Sequence, residues 1–268
     1  MLHPYEVLRP EYDSLLTSMI VTRPEAIEHA ALSVLRNIDR YLAVENQTKG
    51  VPAALIGTLN YRESDQDFRT GLGQGDPWDR VSTHVPRNEG PFKSWEDAAI
   101  FYVHYDHLDD NSAPWTMPYV CWKGEIWNGF GPRNHGIHTG YLWAGTNHYT
   151  TGKYVADGVW DPHHTDTQLG IIPIMSAMFA HRPDLKPGAW PVATTLRVVP
   201  NVPTPMLTNT AALQAALNKL MGASLIVDGS YGRRTREAVR AFQVQHNLTT
   251  DGLAGPMTWE AINKALGA

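Results

Sequence analysis

Apolar side chains recur along this chain at helical spacing far more often than in strand-like alternation. Thr22-Arg-Pro-Glu25 has the spacing of a capping box, and Pro24 falls in the first turn, where its missing N–H costs nothing. Ile27, Ala31, Val34, Ile38 and Tyr41 follow at steps of four and three, which predicts one helix with a single apolar face to about Val44. Gly50 and Pro52 break that run, and PAALIGTLNYRES predicts a second helix with Ile56, Leu59 and Glu63 along one face. Ser94-Trp-Glu-Asp97 caps a third, with Ala98, Phe101, Tyr102, Tyr105 and Leu108 as core positions, and Pro118 opens a fourth.

Between the second and third helices the pattern changes. FRTGLGQGDP (68–77) carries three glycines in five positions, too many for a helix, and predicts a hairpin whose backbone can approach a ligand closely. Val81-Ser-Thr83-His84-Val-Pro86 continues it as a short β-prone run ended by proline. IHTGYLWAGTNHYTTGKYVADG, from Ile137, is aromatic and glycine-rich and predicts a cleft-lining loop.

The chain divides near RVVPNVPTPMLT, where Pro200, Pro203 and Pro205 favour an extended segment. The expected organisation is a catalytic domain over 1–198, a Pro-rich linker over 199–207 and a small domain over 208–268. The last part carries six basic side chains against four acidic ones, so it is cationic at +2, while the whole chain stands at −5. A small cationic module beside a larger acidic one suggests a targeting unit joined to a catalytic one.

Composition narrows the function. With 43% hydrophobic and 18% charged residues among 268, the chain can offset the entropy of folding, which excludes disorder as its main state. The acidic balance leaves no basic footprint for duplex nucleic acid, and no P-loop or GxGxxG unit points to a nucleotide. Nine Trp and eleven Tyr supply rigid amphipathic rings, which serve as platforms for sugars and equally as core residues. A lone cysteine, Cys121, allows no intramolecular disulfide and is expected to be a buried hydrophobe. No run approaches the ~18 apolar residues of a membrane span. The opening residues lack a secretory pattern, so synthesis in the cytoplasm and release to a target outside the membrane are expected. Among twelve histidines, His135/His138 and His163/His164/Asp166 are the best clusters, but neither has a usual zinc spacing with a defined third ligand. No metal, no cofactor and a monomer are expected.

Two carboxylates carry the candidate chemistry. Glu63 ends an apolar stripe, where desolvation raises a carboxyl pKa as a general acid requires. The same position also suits a solvated glutamate at a helix C-terminus, against the dipole. Asp76 sits on the Gly-rich turn, either facing Glu63 across a cleft or forming an Asx-turn before Pro77. Two carboxyls across a cleft is the layout for glycosidic bond cleavage.

YRES (61–64), GQGDPWDRVSTHVP (73–86), WNGFG (127–131) and GYLWAGTNHYTTGKYVADG (140–158) occur in this order, and together they resemble the lysozyme-like superfamily, in particular the muramidase domains of phage and bacterial peptidoglycan hydrolases. The resemblance spans most of 50–160. It implies a mainly α (α+β) domain with a small β-hairpin lobe, with Glu63 as general acid, Asp76 as second carboxylate and Thr83 as the hydroxyl holding water. It further implies substrate contacts from Asn128, Tyr141 and Trp143. Carboxyls ~6.5–9.5 Å apart would make the reaction inverting, against ~5–5.5 Å for retention. Ser64 after the glutamate is also what lytic transglycosylases and goose-type lysozymes show, and a transglycosylase needs one acid only.

In the last part, Leu213, Leu217 and Leu220 predict a first helix, Thr235–His246 a second, and Thr258 the start of a third. Two Asp-Gly turns, at 228–229 and 251–252, each lead toward a helix start. The segment resembles the type 1 peptidoglycan-binding domain through its DGxxGxxT…AVxxFQ…DGxxGPxTW pattern. That resemblance implies a three-helix module with a groove for peptidoglycan glycan strands, lined by Asp228, Tyr231 and Trp259. The leading expectation is therefore an endolysin that cleaves the β-1,4 bond between N-acetylmuramic acid and N-acetylglucosamine, released through a holin-type membrane partner. A lytic transglycosylase, a catalytically silent wall-binding protein and an exported toxin remain as alternatives.

Overall fold

The computed structural model describes residues 3–73, 75–110, 113–156, 158–188, 197–198, 210–225, 227, 233–250, 252, 254 and 256–266. The chain separates into two compact units, Met1–Arg197 and Val198–Ala268. Both are built mainly from helices. None of the described helices is long and apolar enough to cross a membrane. The expected linker, 199–207, lies outside the described residues.

The larger unit contains α1 (Tyr5–Ser18), β1 (Ile20–Val21), α2 (Pro24–Leu35), α3 (Ile38–Glu45), α4 (Ala53–Ser64), α5 (Trp95–Tyr105), α6 (Met117–Asn128), a four-residue helix α7 (Gly140–Trp143), β2 (Lys153–Ala156), β3 (Val159–Asp161) and α8 (Ile171–His181). Its centre is α4 and α8. Every residue of α4 from Ala53 to Asn60 is buried, as are the first nine of α8, and the two helices pack on each other and on α2. A helix apolar all round belongs inside a core. Gly57 makes the close approach possible, since a Cβ there would stand 2.6 Å from Val34 Cγ1 and 2.8 Å from Tyr41 Cδ2.

Four helix starts fall where caps and prolines place them. Pro24 opens α2, Pro52 precedes α4, Pro118 lies in the first turn of α6, and Ser94 Oγ accepts the Asp97 N–H at 3.1 Å to cap α5. The single helix expected from Thr22 to Val44 is instead two, broken at Arg36–Asn37. The apolar period runs through the break, so periodicity could not reveal it. Cys121 is buried.

The hairpin expected over 68–86 forms no ladder. One bridge joins Thr70 and Pro77, and Gly71 N–H donates to the Asp76 carbonyl at 2.8 Å. Residues 81–86 form turns and bends. Gly71 and Gly73 lie against the ring of Tyr102 on α5, where a Cβ would stand 2.9 Å from ring atoms. Their close approach is thus to an aromatic of the core. The two-stranded antiparallel sheet forms elsewhere, from β2 and β3, with Lys153 opposite Asp161, inside the segment expected to be a loop.

The smaller unit has three helices, α9 (Thr210–Met221), α10 (Arg233–Gln245) and α11 (Pro256–Leu266), around a core of Leu213, Leu217, Val239, Phe242 and Ile262. The echo in its sequence has a structural counterpart. Gln214 on α9 donates to Thr235 Oγ1 on α10 at 3.2 Å, and Gln243 on α10 donates to Thr258 Oγ1 on α11 at 3.1 Å. Each buried glutamine thereby ties one helix to the first turn of the next.

Candidate functional site

Glu63 stands on the last turn of α4, exposed rather than sharing the burial of the helix before it. Its carboxylate is held from two sides. Tyr141 O–H donates to Glu63 Oε1 at 2.5 Å, and Trp127 Nε1–H donates to the same oxygen at 3.1 Å. Burial and the adjacent Glu63 charge push the Tyr141 phenol well above its ordinary range, so it stays protonated and donates.

The turn carrying Glu63 is itself anchored. Asp65 closes α4 in the left-handed conformation (φ 51°), returning its N–H to Tyr61 O at 3.2 Å. Ser64 Oγ donates to Asn60 Oδ1 at 2.6 Å, and Asn60 Nδ2 donates to Tyr41 O–H at 3.1 Å. Gln66, one residue further, donates to Ser33 Oγ on α2. Arg62 points the other way: Nη2 meets Asp166 at 2.7 Å, Nη1 donates to Leu169 O at 3.2 Å, and the guanidinium lies 4.5 Å from the Tyr141 ring centre. Both partners of that ion pair are almost fully buried.

Tyr141, which holds Glu63, and Arg62, its neighbour in sequence, line a cleft of about 540 Å³ together with Asn128, Thr139, Lys153, Tyr154 and Asp166 among others; Glu63 itself is not part of the lining. Asn128 donates to Thr139 Oγ1 at 3.1 Å, and Thr139 also caps α7 by accepting Tyr141 N–H at 3.2 Å. Asn128 and Tyr141, from which substrate contacts are expected, both line this cleft. Trp143 does not. It is 1% exposed and stands edge-on to His148 inside the core, so its ring is packing surface and offers no ligand platform.

Asp76 and Thr83 meet each other. Asp76 Oδ2 accepts the backbone N–H groups of Thr83 at 2.8 Å and His84 at 2.9 Å, Oδ1 lies 2.8 Å from His84 Nδ1, and Thr83 Oγ1 is 3.3 Å from both oxygens. The two backbone donors, then the His84 ring, lower the Asp76 pKa to about 2 despite some desolvation. Asp76 is thus ionised and committed to closing its own loop.

A third carboxyl escaped the sequence reading. Asp106, immediately after α5, is exposed at the surface, but partial desolvation and the charge of Glu63 raise its pKa against the opposing pull of His107. Nothing in the local pattern distinguishes it, because its partner is 43 positions away. Trp127, Arg62 and Lys153 were missed as well, and Asp166 was weighed only as a metal ligand beside His163 and His164. Trp127 and Arg62 lie inside WNGFG and YRES, directly beside residues that were chosen. The histidine clusters fall apart in space: His135 stacks on Trp160 at 4.0 Å, while His138 pairs with Glu11 at 3.1 Å. Among the described residues no three His, Cys, Asp or Glu side chains gather as metal ligands.

In the smaller unit, Trp259 is half-buried against the helical core, while Asp228 and Tyr231 lie outside the described residues.

Residues 208–262 match the peptidoglycan-binding domain family. A stretch of 41 residues is 46% identical to a zinc D-Ala-D-Ala carboxypeptidase of Streptomyces albus G, covering 15% of this chain and 16% of that protein. No solved structure matches the chain. The match over 208–262 supports peptidoglycan as a binding partner for that segment.

Proposed function

We propose that the larger unit cleaves the glycan of peptidoglycan at the β-1,4 bond between N-acetylmuramic acid and N-acetylglucosamine, while the smaller unit holds the chain on the wall. The observation that carries this reading is Glu63, an exposed carboxylate fixed by Trp127 and by Tyr141, which itself lines a cleft, in a chain with a peptidoglycan-binding domain. Glu63 protonates the leaving glycosidic oxygen and Tyr141 orients it. Hydrolysis by this acid, with Asp76 and Thr83 handling water, is the first reading.

A second reading draws support from Asp76. Its oxygens are taken up by Thr83 and His84, which favours a reaction in which Glu63 works alone and the sugar's own 6-hydroxyl replaces water. The likeness to a D-Ala-D-Ala carboxypeptidase concerns a short stretch and adds hydrolysis of the wall's peptides as a rival activity. Mass spectrometry of fragments released from purified peptidoglycan separates all three. Reducing-end muramic acid supports hydrolysis, and fragments lighter by one water with a 1,6-anhydro end support the transglycosylase. Loss of D-alanine from intact glycan would overturn both.

A further inference from the structure

We propose that the cleft beside Glu63 is an anion subsite, and that it takes a carboxylate of the short peptides attached to the glycan. The inference rests on the reading of this cleft as a glycan site. Three charged groups form one wall: Arg62, Asp166 and Lys153. Asp166 serves both cations, with Arg62 Nη2 at 2.7 Å and Lys153 Nζ at 3.4 Å, and it accepts the Gln168 N–H at 3.2 Å as well. Two positive charges thus face one carboxylate.

Exposure decides which charge a ligand meets. The side chains of Arg62 and Asp166 are 6% and 5% exposed, whereas that of Lys153 is 34% exposed. The accessible charge is therefore the Lys153 ammonium, whose three hydrogens are not exhausted by one long contact. Behind it, Arg62 Nε is buried with no hydrogen-bond partner, an unspent donor in a wall already short of negative charge. Asp161 stands opposite Lys153 in the sheet register, but the ion pair of Lys153 is with Asp166, and the Asp161 carboxylate accepts the His163 N–H at 2.8 Å. Across the cleft, Asn128 and Tyr154 offer neutral polar groups. At about 540 Å³ the cleft has room for a short peptide segment. A neutral sugar has nothing to pair with Lys153; an acidic residue or terminal carboxylate of the wall's peptides has.

The test measures binding, so that it does not depend on cleavage. The chain carrying Glu63→Gln is titrated calorimetrically with the N-acetylglucosamine–N-acetylmuramic acid disaccharide, once with its peptide and once with the peptide removed and the freed lactyl carboxyl capped as its neutral amide. Adding Lys153→Met should weaken binding of the peptide-bearing ligand about tenfold and of the peptide-free ligand less than twofold, and Lys153→Arg should restore most of the loss. An equal loss on both ligands, or none on the peptide-bearing one, overturns the subsite. Persistent glycan cleavage by Glu63→Gln would instead overturn the acid assignment and leave the binding result standing.

Discussion

Tyr141 and Glu63 are 78 residues apart in sequence and 2.5 Å apart in space, with the phenol donating to the carboxylate. The bond requires α7 to lie against the end of α4, so the orientation of the Glu63 carboxylate depends on a helix of only four residues. Tyr141→Phe keeps the ring and removes the donor. Fragment release should slow about tenfold, or ~1.4 kcal/mol in the barrier, with unchanged thermal stability within about 1 kcal/mol. Glu63→Gln should cost about 10²–10⁴ in rate, the usual span for a general acid, while sedimentation with purified peptidoglycan is retained.

Arg62 and Asp166 form a buried ion pair at the floor of the cleft. Removing one partner strands the other charge, and Asp166→Asn should destabilise the larger unit by about 3–5 kcal/mol. A urea titration followed by Trp fluorescence would register this as a lower midpoint. A midpoint equal to that of the parent would mean the pair is solvated and carries no structural load.

His181, in the last turn of α8, lies 2.6 Å from Glu28, and that hydrogen bond raises its pKa above 6.5 against the effect of burial. A raised histidine stabilises the fold fully below its unfolded pKa and loses that contribution as pH climbs through the folded value. Thermal midpoints should fall as pH rises above about 6.5, and His181→Asn should flatten the slope between about pH 6 and 8.

Asp76 shifts the other way. Its pKa of about 2 makes the closed 76–84 loop fully favoured above the unfolded carboxyl pKa, and closure is lost as pH falls toward 2. The amide NMR signals of Thr83 and His84 should move together with an apparent pKa near 2 and stay still in Asp76→Asn.

Asp106 has a raised pKa, so its charged form is the disfavoured one in the folded chain. Its contribution is full below the ordinary carboxyl range and declines as pH rises through the raised value. Asp106→Asn should therefore make the larger unit more stable at pH 7 than at pH 3 relative to the parent, read as the difference in thermal midpoints. If Asp106 also shares the work of Glu63, the same variant lowers fragment release.

Local rules made much of this legible. Caps and prolines located α2, α4, α5 and α6, and the three helices of the smaller unit followed from leucine spacing and the paired turns. The break at Arg36–Asn37 was invisible because the apolar face continues across it. The sheet was missed although Asp157-Gly158 between apolar positions is a strong hairpin signal, since the surrounding glycines and aromatics favoured a loop. The hairpin expected over 68–86 stops at the one bridge between Thr70 and Pro77, and in its second run the Thr83 and His84 N–H groups go to the Asp76 carboxylate and not to a ladder. At the site, Glu63 could be singled out from its place at a helix end. What holds it could not, since Trp127 and Tyr141 come from 64 and 78 residues downstream.

Gly170 stands where α8 begins, with its N–H donated to Ala144 O at 2.8 Å. Any side chain there would overlap the Leu142 carbonyl, and α7 would have to lift away. A position that touches neither Glu63 nor the cleft thus holds a veto over both. Variation at Lys153 and Tyr154, on a strand of the small hairpin, would reshape the cleft wall while leaving Glu63 seated, whereas variation at 170 would not.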